Sequence, residues 1–125
     1  MNQLKTHSLY NMEQIKEAIR TVHESLGPFL TEVIYQKALA IELKTKFETV
    51  ELEKSVPIVY KDHEIAVLRA DIVLSGKYIL ELKSTNTKLG HREESQLLRY
   101  MKILDIKDGI LVNFSKTLQL KTWTL

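Results

Sequence analysis

Residues 65–84 read IAVLRADIVLSGKYILELKS, and this stretch decides the fold because its apolar residues recur with a period of two on both sides of a Ser-Gly-Lys turn. The pattern predicts two strands, residues 65–74 and 78–84, paired as an antiparallel hairpin. One face of this hairpin is apolar apart from a tyrosine. The other face carries four charged residues among Val and Ile, namely Arg69, Asp71, Glu81 and Lys83.

The length of the turn sets the register of the hairpin. A three-residue loop at residues 75–77 pairs Leu74 with Tyr78, and the same register places Asp71 directly opposite Glu81. The Cβ atoms of such a pair are ~5 Å apart. A two-residue loop would divide the charged residues between both faces, and the apolar pattern argues against that slip. We therefore expect the two carboxylates to lie side by side, with Lys83 on the same face one repeat further along.

Two carboxylates in this arrangement repel each other and need compensation. One explanation is a bound divalent cation, because carboxylate oxygens are the hard ligands that such cations prefer. The other is a solvated face on which Lys83 and Arg69 pair with the acids, and the residues alone leave both open. With a cation, the trio Asp71, Glu81 and Lys83 suits phosphodiester hydrolysis. The metal would polarise the phosphate and acidify a water, while the lysine would orient or deprotonate that water and offset transition-state charge.

Two helices are predicted ahead of the hairpin. Asn11 has the residue type of an N-cap, and Gln14 stands in the capping-box position, so the first helix is predicted to begin at Asn11 and to end before Gly27-Pro28. The second helix is predicted over residues 30–46. Its apolar residues go most of the way round the helix, which predicts burial on more than one side.

The remaining elements are strands and one further helix. A strand is predicted over residues 50–60 and a turn over 61–64, while the hairpin is followed by the helix 91–104 and the strands 109–114 and 117–125. The order is α-α-β-β-β-α-β-β. It predicts an α/β fold of the mixed α+β kind, with a central mixed sheet flanked by helices, in a single domain spanning residues 1–125.

Composition excludes several functional classes. The chain has 125 residues, of which 44% are hydrophobic and 27% charged, so we expect a soluble globular fold. The absence of cysteine excludes disulfide scaffolds, thiolate metal sites and cysteine nucleophiles. The net charge of +2 is only a weak argument for nucleic acid. Neither a secretory signal nor an apolar run of ~20 residues is present, so we expect no membrane association and a cytoplasmic location.

Three further polar residues are candidates for a site. Glu32 lies in the second, mostly apolar helix, where a buried carboxylate needs a partner, either a metal ion or a basic side chain. Gln96 and Tyr100 are four residues apart on the third helix and flank its apolar stripe. On spacing alone an ordinary boundary pair is favoured over a site role. The four histidines have no metal-ligand spacing, which argues against zinc.

Taken together, these residues resemble a known signature. Asp71 followed across the hairpin by Glu81-Leu82-Lys83 resembles the motif of the PD-(D/E)XK nuclease superfamily, and residues 96–100 (QLLRY) resemble the QxxxY motif of its RecB-like branch. Over roughly residues 11–120 the chain resembles the small bacterial and archaeal GxxExxY proteins within that superfamily. Two positions depart from the pattern: Phe29 stands where the name motif has glycine, and Glu93 where related sequences often have histidine.

The resemblance implies the fold, the cofactor and the roles of the site residues. It implies the restriction-endonuclease-like core, with Asp71 and Glu81 as ligands of Mg²⁺ (or Mn²⁺), Lys83 as the catalytic lysine and Glu32 as a third metal-site acid. Gln96 and Tyr100 would be supporting catalytic residues.

The function expected on this basis is that of a metal-dependent nuclease, or a nuclease-like protein, that acts on nucleic acid and more specifically on DNA. The small size of the chain favours a homodimer or a larger assembly. The alternative is a non-catalytic member that binds nucleic acid or a protein partner, and a third is a purely structural module with a salt-bridged hairpin. The intact set Asp71, Glu81 and Lys83 favours catalysis, since a decayed member would be expected to lose one of the three.

Overall fold

A computed structural model describes the backbone of residues 3–125 and the side chains of residues 9–125. Three helices and five strands follow one another in the predicted order. They are α1 (Gln3–Leu26), α2 (Glu32–Leu43), β1 (Val50–Tyr60), β2 (His63–Leu74), β3 (Tyr78–Lys83), α3 (His91–Leu104), β4 (Asp108–Asn113) and β5 (Gln119–Thr124). The predicted fold class, a mixed sheet flanked by helices, is confirmed.

The five strands form one sheet in the order β1-β2-β3-β4-β5. All neighbouring pairs are antiparallel except β3 and β4, which are parallel and are joined through α3. This is the connection that parallel strands require, because a tight turn cannot reverse the chain between them. The carboxyl ends of β3 and β4 therefore lie together, with Lys83 opposite Asn113.

Apolar side chains cover both faces of the sheet and form two cores. One core packs α1 and α2 against alternate residues of the central strands, including Ile72, Leu80 and Val112. The other packs α3 against the opposite face, including Val73, Ile79 and Leu111. The central strands are therefore almost continuous apolar runs, which is typical of strands that are buried on both faces.

The helix α1 begins earlier than predicted. It starts at Gln3, so that Asn11 lies inside the helix and is not its N-cap. The side-chain amide of Gln14 donates to the Tyr10 hydroxyl at 2.9 Å, one turn back along the helix. The prediction was wrong because the apolar stripe begins only near Asn11, while the preceding turns are helical but have exposed residues such as Leu9 and Tyr10.

The helix α2 is shorter and less buried than predicted. It spans Glu32–Leu43, and its buried residues Tyr35, Gln36, Leu39, Ala40 and Leu43 occupy one side. Val33, Ile34 and Ile41 are exposed, so the prediction of burial on more than one side was wrong. The sequence misled because apolar residues on the solvent side are common, and hydrophobicity alone does not show which of them pack.

The turn between α1 and α2 is held by Tyr35. Its hydroxyl donates to the carbonyl of Gly27 and accepts from the backbone N–H of Leu30 at 3.1 Å. Its ring stacks on Phe114 with the centroids 3.9 Å apart. Phe29, within this turn, has a left-handed backbone with φ of 64°. The tyrosine thus fixes both the turn and the direction in which α2 leaves it.

The hairpin of β1 and β2 is longer than predicted at its tip. Tyr60 pairs with His63, which leaves Lys61 and Asp62 as a two-residue turn with positive φ at both positions. Such a turn matches the natural twist of a hairpin. The predicted four-residue turn over 61–64 was therefore wrong, and β2 begins two residues earlier.

The alternation of faces changes along β2. Ile72 and Leu74 lie in the core with α1 and α2, whereas Ala70 and Leu68 pack in the core with α3. The prediction of a single apolar face along the whole strand was wrong for this reason. The change falls at Asp71, opposite the position in β1 where Glu53 has a left-handed backbone with φ of 55°.

Among residues 3–125, no helix has both the length and the apolar character needed to cross a membrane.

Candidate active site

The side chains of Asp71 and Glu81 each accept a hydrogen bond from the backbone of the opposite strand, at the point where the regular pairing of β2 and β3 ends. The pairs Leu74–Tyr78, Val73–Ile79 and Ile72–Leu80 have the predicted register. Beyond them the side chains replace the ladder carbonyls: Glu81 Oε1 accepts from the Asp71 N–H at 3.0 Å, and Asp71 Oδ2 accepts from the Leu82 N–H at 2.7 Å. The strands separate here, and the two carboxylates fill the gap between them.

Burial and mutual repulsion make this pair of carboxylates hard to ionise. Glu81 is only 4% exposed. Burial, followed by the charge of Asp71, raises the pKa of Glu81 to about 8. Burial also raises the pKa of Asp71, although the hydrogen bond from the Leu82 N–H opposes the rise. A nearby cation would favour the ionised forms of both acids.

Glu53 is a third acid near this pair, and no pattern in the sequence predicted it there. It occupies the position of β1 opposite Asp71, between the paired residues Leu52–Ile72 and Lys54–Ala70. Its charge contributes to the raised pKa of Asp71, after burial. A charged residue with a left-handed backbone in mid-strand leaves no periodic signal, so the pattern of β1 could not identify it.

Gln36 connects α2 to Asp71 and Glu53 through hydrogen bonds, and the sequence did not identify it as a site residue. It is 5% exposed, and its side-chain amide donates to the Asp71 carbonyl at 2.8 Å and to Glu53 Oε1 at 3.3 Å. The sequence did contain one indication of its role, namely a polar amide in a mostly apolar helix. Such a group needs a hydrogen-bond partner if it is buried.

Lys83 ends β3 on the side of a cavity of about 540 Å³. The side chain is half-buried, and its positive charge lowers the pKa of both Asp71 and Glu81, although less than burial raises them. Gln96 lines the same cavity from α3. The lysine is thus close enough to the carboxylates to act on them electrostatically while it remains accessible from solvent.

The loop that follows Lys83 is held by a buried asparagine of β4. Asn113 is fully buried, and its Oδ1 accepts from the Thr85 N–H at 3.0 Å while its Nδ2 donates to the Thr85 carbonyl at 3.0 Å. The amide therefore pairs with the backbone of residue 85 as a neighbouring strand would. This contact fixes the chain just after the lysine.

Gln96 and Tyr100 form a hydrogen-bonded pair on α3. Gln96 Nε2 donates to the Tyr100 hydroxyl at 3.0 Å. Tyr100 is buried, and burial raises the pKa of its phenol, followed by the negative charges of Glu81 and Asp71. The phenol therefore lies within electrostatic reach of both carboxylates, and α3 brings the pair to the same part of the molecule as Lys83.

Glu32 lies at the start of α2 and is exposed. The expectation that it would be buried was wrong, because this end of the helix is open to solvent. Glu32 is one turn before Gln36, and residues four apart lie on the same face of a helix. It is therefore on the face from which Gln36 reaches Asp71, while its role as a metal ligand stays a prediction.

The donor set fits a hard divalent cation held mainly by two carboxylates. Within the described part of the chain, no three acidic or histidine side chains converge on one point as a ready-made cage. Asp71 and Glu81 each accept one backbone hydrogen bond through one oxygen, and a carboxylate has capacity for further ligands on the other. Mg²⁺ suits such a site because it commonly keeps several waters beside one or two carboxylates.

The comparison with solved structures concerns the fold. The chain is similar to the crystal structure of SSO0001, with a TM-score of 0.52 and 21% sequence identity. The match covers 74% of this chain and 48% of that chain, so the chain spans about half the length of that protein. No curated protein matches the chain.

The comparison with protein families extends over nearly the whole chain. The family described as the PD-(D/E)XK nuclease superfamily matches residues 10–124. This range includes the two hydrogen-bonded carboxylates, the lysine after them and the Gln96–Tyr100 pair. The chain belongs to the PD-(D/E)XK nuclease superfamily.

Proposed function

We propose that the protein is a nuclease that hydrolyses phosphodiester bonds in DNA with the help of Mg²⁺ or Mn²⁺. The observation that carries this proposal is the pair of hydrogen bonds across the separated strands, in which the Glu81 carboxylate accepts from the Asp71 N–H and the Asp71 carboxylate accepts from the Leu82 N–H. These hydrogen bonds hold two acids close together in a buried place where their ionised forms are unfavourable. A bound cation would offset that cost. Membership of the superfamily supports a nuclease-like function and a nucleic-acid substrate.

Each residue of the proposed site has a distinct task. Asp71 and Glu81 would hold the cation, and we propose Glu32 as a further acidic ligand from the start of α2. A bound divalent cation supplies polarisation of a phosphoryl oxygen and a lowered pKa for water. Lys83 either orients the attacking water through its ammonium group or, as the neutral amine, accepts the proton of that water and becomes the ammonium. The ammonium group stabilises the charge that develops on the phosphate.

Gln96 and Tyr100 act beside the carboxylates. The Gln96 amide donates to the Tyr100 oxygen, which leaves the phenolic proton free to be donated elsewhere. A phenol so oriented, with its pKa raised, stays protonated and can donate to a carboxylate or to a phosphate oxygen. We propose that the pair positions the substrate, which agrees with the QxxxY pattern of the RecB-like branch.

We also propose a subfamily, a domain extent, a location and an assembly for the protein. We place the chain with the GxxExxY proteins, as one domain over residues 1–125, acting in the cytoplasm as a homodimer or in a larger assembly. The described part of the chain is little more than one sheet and three helices, and this supports a second subunit or a partner for holding a long substrate.

The second candidate function is binding without cleavage. It is favoured by the low tendency of Glu81 to ionise, since a protonated acid is a poor metal ligand. In that case the hydrogen-bonded carboxylates would be structural, and the protein would bind nucleic acid or a partner protein.

The test is cleavage of labelled oligonucleotides in Mg²⁺ or Mn²⁺, with single- and double-stranded DNA and RNA in parallel. We expect metal-dependent cleavage of DNA that Lys83→Ala lowers by about 100-fold or more, the usual contribution of a positioned catalytic group. Lys77→Ala, an exposed lysine in the β2–β3 turn, is the matched control and should cleave normally. Absence of cleavage with every substrate and both metals would favour the binding function.

A further inference from the structure

The cavity beside Lys83 extends beyond the proposed catalytic residues. It has a volume of about 540 Å³ and is lined by Lys83 and Gln96, which are assigned above, and by Arg92, Glu93, Ser95 and Arg99 of α3. The chain has four arginines in all, and two of them line this cavity. The proposed reaction uses neither arginine.

Spacing along α3 aligns these residues. Arg92 and Arg99 are seven residues apart, with Ser95 and Gln96 between them, so all four lie along one side of the helix over about 10 Å. The two guanidinium groups thus face the cavity from positions about two turns apart on α3, and the Lys83 ammonium faces it from the end of β3. Three basic side chains, one acid and two hydrogen-bond donors line the cavity, so its lining carries a net positive charge.

The two acids at the start of α3 have partners other than the arginines, although Glu93 also lines the cavity. Glu93 Oε2 accepts from the Gly90 N–H at 2.9 Å, and Glu94 pairs with Lys121 at 2.8 Å. In the described part of the chain, neither Arg92 nor Arg99 takes part in an ion pair. The guanidinium groups therefore remain free to bind an anion.

We propose that Arg92 and Arg99 form a phosphate-binding subsite for a nucleic-acid strand, next to the carboxylates of the proposed nuclease site. Arginine suits this task because its planar fork of donors matches the oxygens of a phosphate. Lys83 lines the cavity and acts electrostatically on Asp71 and Glu81, so a strand in the cavity would pass close to the carboxylates. The inference rests on the proposed function for the identity of the ligand.

The experiment measures binding separately from cleavage. Binding is measured from the fluorescence anisotropy of a 3′-labelled single-stranded DNA oligonucleotide. The buffer contains EDTA, so that no metal-dependent cleavage occurs. Arg92→Gln, Arg99→Gln and the double variant are compared with Arg20→Gln, an exposed arginine of α1 outside this cavity. Thermal melting checks that each variant is folded. A 5′-phosphorylated and a 5′-hydroxyl oligonucleotide distinguish a terminal phosphate from one within the strand.

We expect the double variant to bind about tenfold more weakly, the change that 1.4 kcal/mol produces. The salt dependence of log Kd should become shallower by about 0.7 for each phosphate of a single strand that the variant no longer binds. Arg20→Gln should bind as the unmodified protein does. Tighter binding of the 5′-phosphorylated oligonucleotide only when both arginines are present would assign the subsite to a terminal phosphate. Equal binding of the two oligonucleotides would assign it to the strand interior.

The inference and the proposed function fail in different ways. If the double variant binds DNA and responds to salt as Arg20→Gln does, the subsite is wrong even where the protein cleaves DNA. If the unmodified protein shows no binding at low salt, the subsite is wrong as well. Arginine-dependent binding without cleavage in any metal would support the subsite and contradict the nuclease assignment.

Discussion

Phe29 adopts a backbone conformation that costs most residues energy and glycine very little. Its φ is 64°, and its side chain is 51% exposed. The left-handed region costs a residue with a Cβ roughly 1–2 kcal/mol. This is also the position at which the GxxExxY pattern has glycine, so the pattern has a physical reason in the turn between α1 and α2.

We expect Phe29→Gly to raise the melting temperature by about 2–4 °C. The relief of left-handed strain outweighs the packing of a half-exposed ring and the greater freedom of glycine in the unfolded chain, which costs about 0.5–1 kcal/mol. Phe29→Ala is the control, since it removes the same ring but keeps the strain. The explanation is wrong if the glycine variant melts no higher than the alanine variant in calorimetry.

Glu81 makes the metal-free protein sensitive to pH. Its pKa is raised by burial, and next by the charge of Asp71, from an ordinary value of 4.5 to about 8. A raised pKa means that the folded protein favours the protonated acid. The associated stability is present in full below about pH 4.5 and is lost as the pH rises through about 8, at roughly 1.4 kcal/mol per pKa unit of difference.

The unmodified protein in EDTA should therefore melt at a higher temperature near pH 5 than near pH 8.5. Glu81→Gln is neutral throughout and should show a flatter dependence over the same interval. Glu24→Gln, an exposed acid of α1, should behave as the unmodified protein does. Parallel curves for all three proteins would mean that Glu81 is not the titrating group.

Single residues of the site were predictable only where a period constrained them. Asp71 and Glu81 follow from the register that the length of one turn sets, so the sequence could align them even though the alternation of faces changes at Asp71. Glu53 and Gln36 reach the same place through a left-handed residue in β1 and through one buried amide of α2. Neither feature has a period in the sequence, and each becomes visible only when the elements are packed together.

At the scale of elements, α3 packs its Met101 and Leu97 side chains on β4 at a glycine, which has no side chain of its own. A Cβ added at Gly109 would lie 2.5 Å from Met101 Sδ and 3.3 Å from Leu97 Cδ1. Both residues are fully buried in the core with α3, so neither can turn away into solvent. The glycine therefore sets how closely the helix that carries Gln96 and Tyr100 approaches the sheet.

Gly109→Ala should destabilise the protein by about 1–3 kcal/mol, the usual cost of overfilling a packed core. Gly90→Ala is the control, because a Cβ there would meet only Glu93 Oε2 at 3.7 Å, an ordinary contact. Chemical denaturation measures both variants. Equal unfolding free energies would show that Met101 moves aside without cost.

The elements themselves were predicted unevenly, and the reason is packing. The bounds of α3 and β1 agree with the prediction, since clear periodicity and turn residues delimit them. The start of α1 and the exposed side of α2 were wrong because a helix can continue without burying anything, and apolar residues can face water. Local sequence patterns show which residues favour a helix or a strand. Tertiary contacts decide where that helix or strand begins and which of its sides is buried.

For the whole molecule, a divalent cation should act as a stabilising ligand. A ligand that binds only the folded state adds about 2.7 kcal/mol at a hundredfold excess over Kd. For a chain of this size that is a rise in melting temperature on the order of 10 °C. The acids that cost stability when empty would thus become a source of it when loaded.

We expect Mg²⁺ or Mn²⁺ to raise the melting temperature of the unmodified protein and not that of Asp71→Ala. Lys83→Ala should keep the shift, since it removes a positive charge from beside the cation. Glu17→Ala, an exposed acid of α1, should behave as the unmodified protein does. An identical response of the unmodified protein and Asp71→Ala would contradict the metal site.

The order of strands in the sheet is the same as their order in the chain, and this bears on how the protein folds. Each strand pairs with its sequence neighbour, so every pairing closes a short loop except the β3–β4 connection through α3. Proteins dominated by such local contacts fold faster than those whose strands must find distant partners. The hairpin with Asp71 and Glu81 can close on itself, whereas the contacts of α3 require the completed sheet, so we expect the two acids to meet before Gln96 and Tyr100 join them.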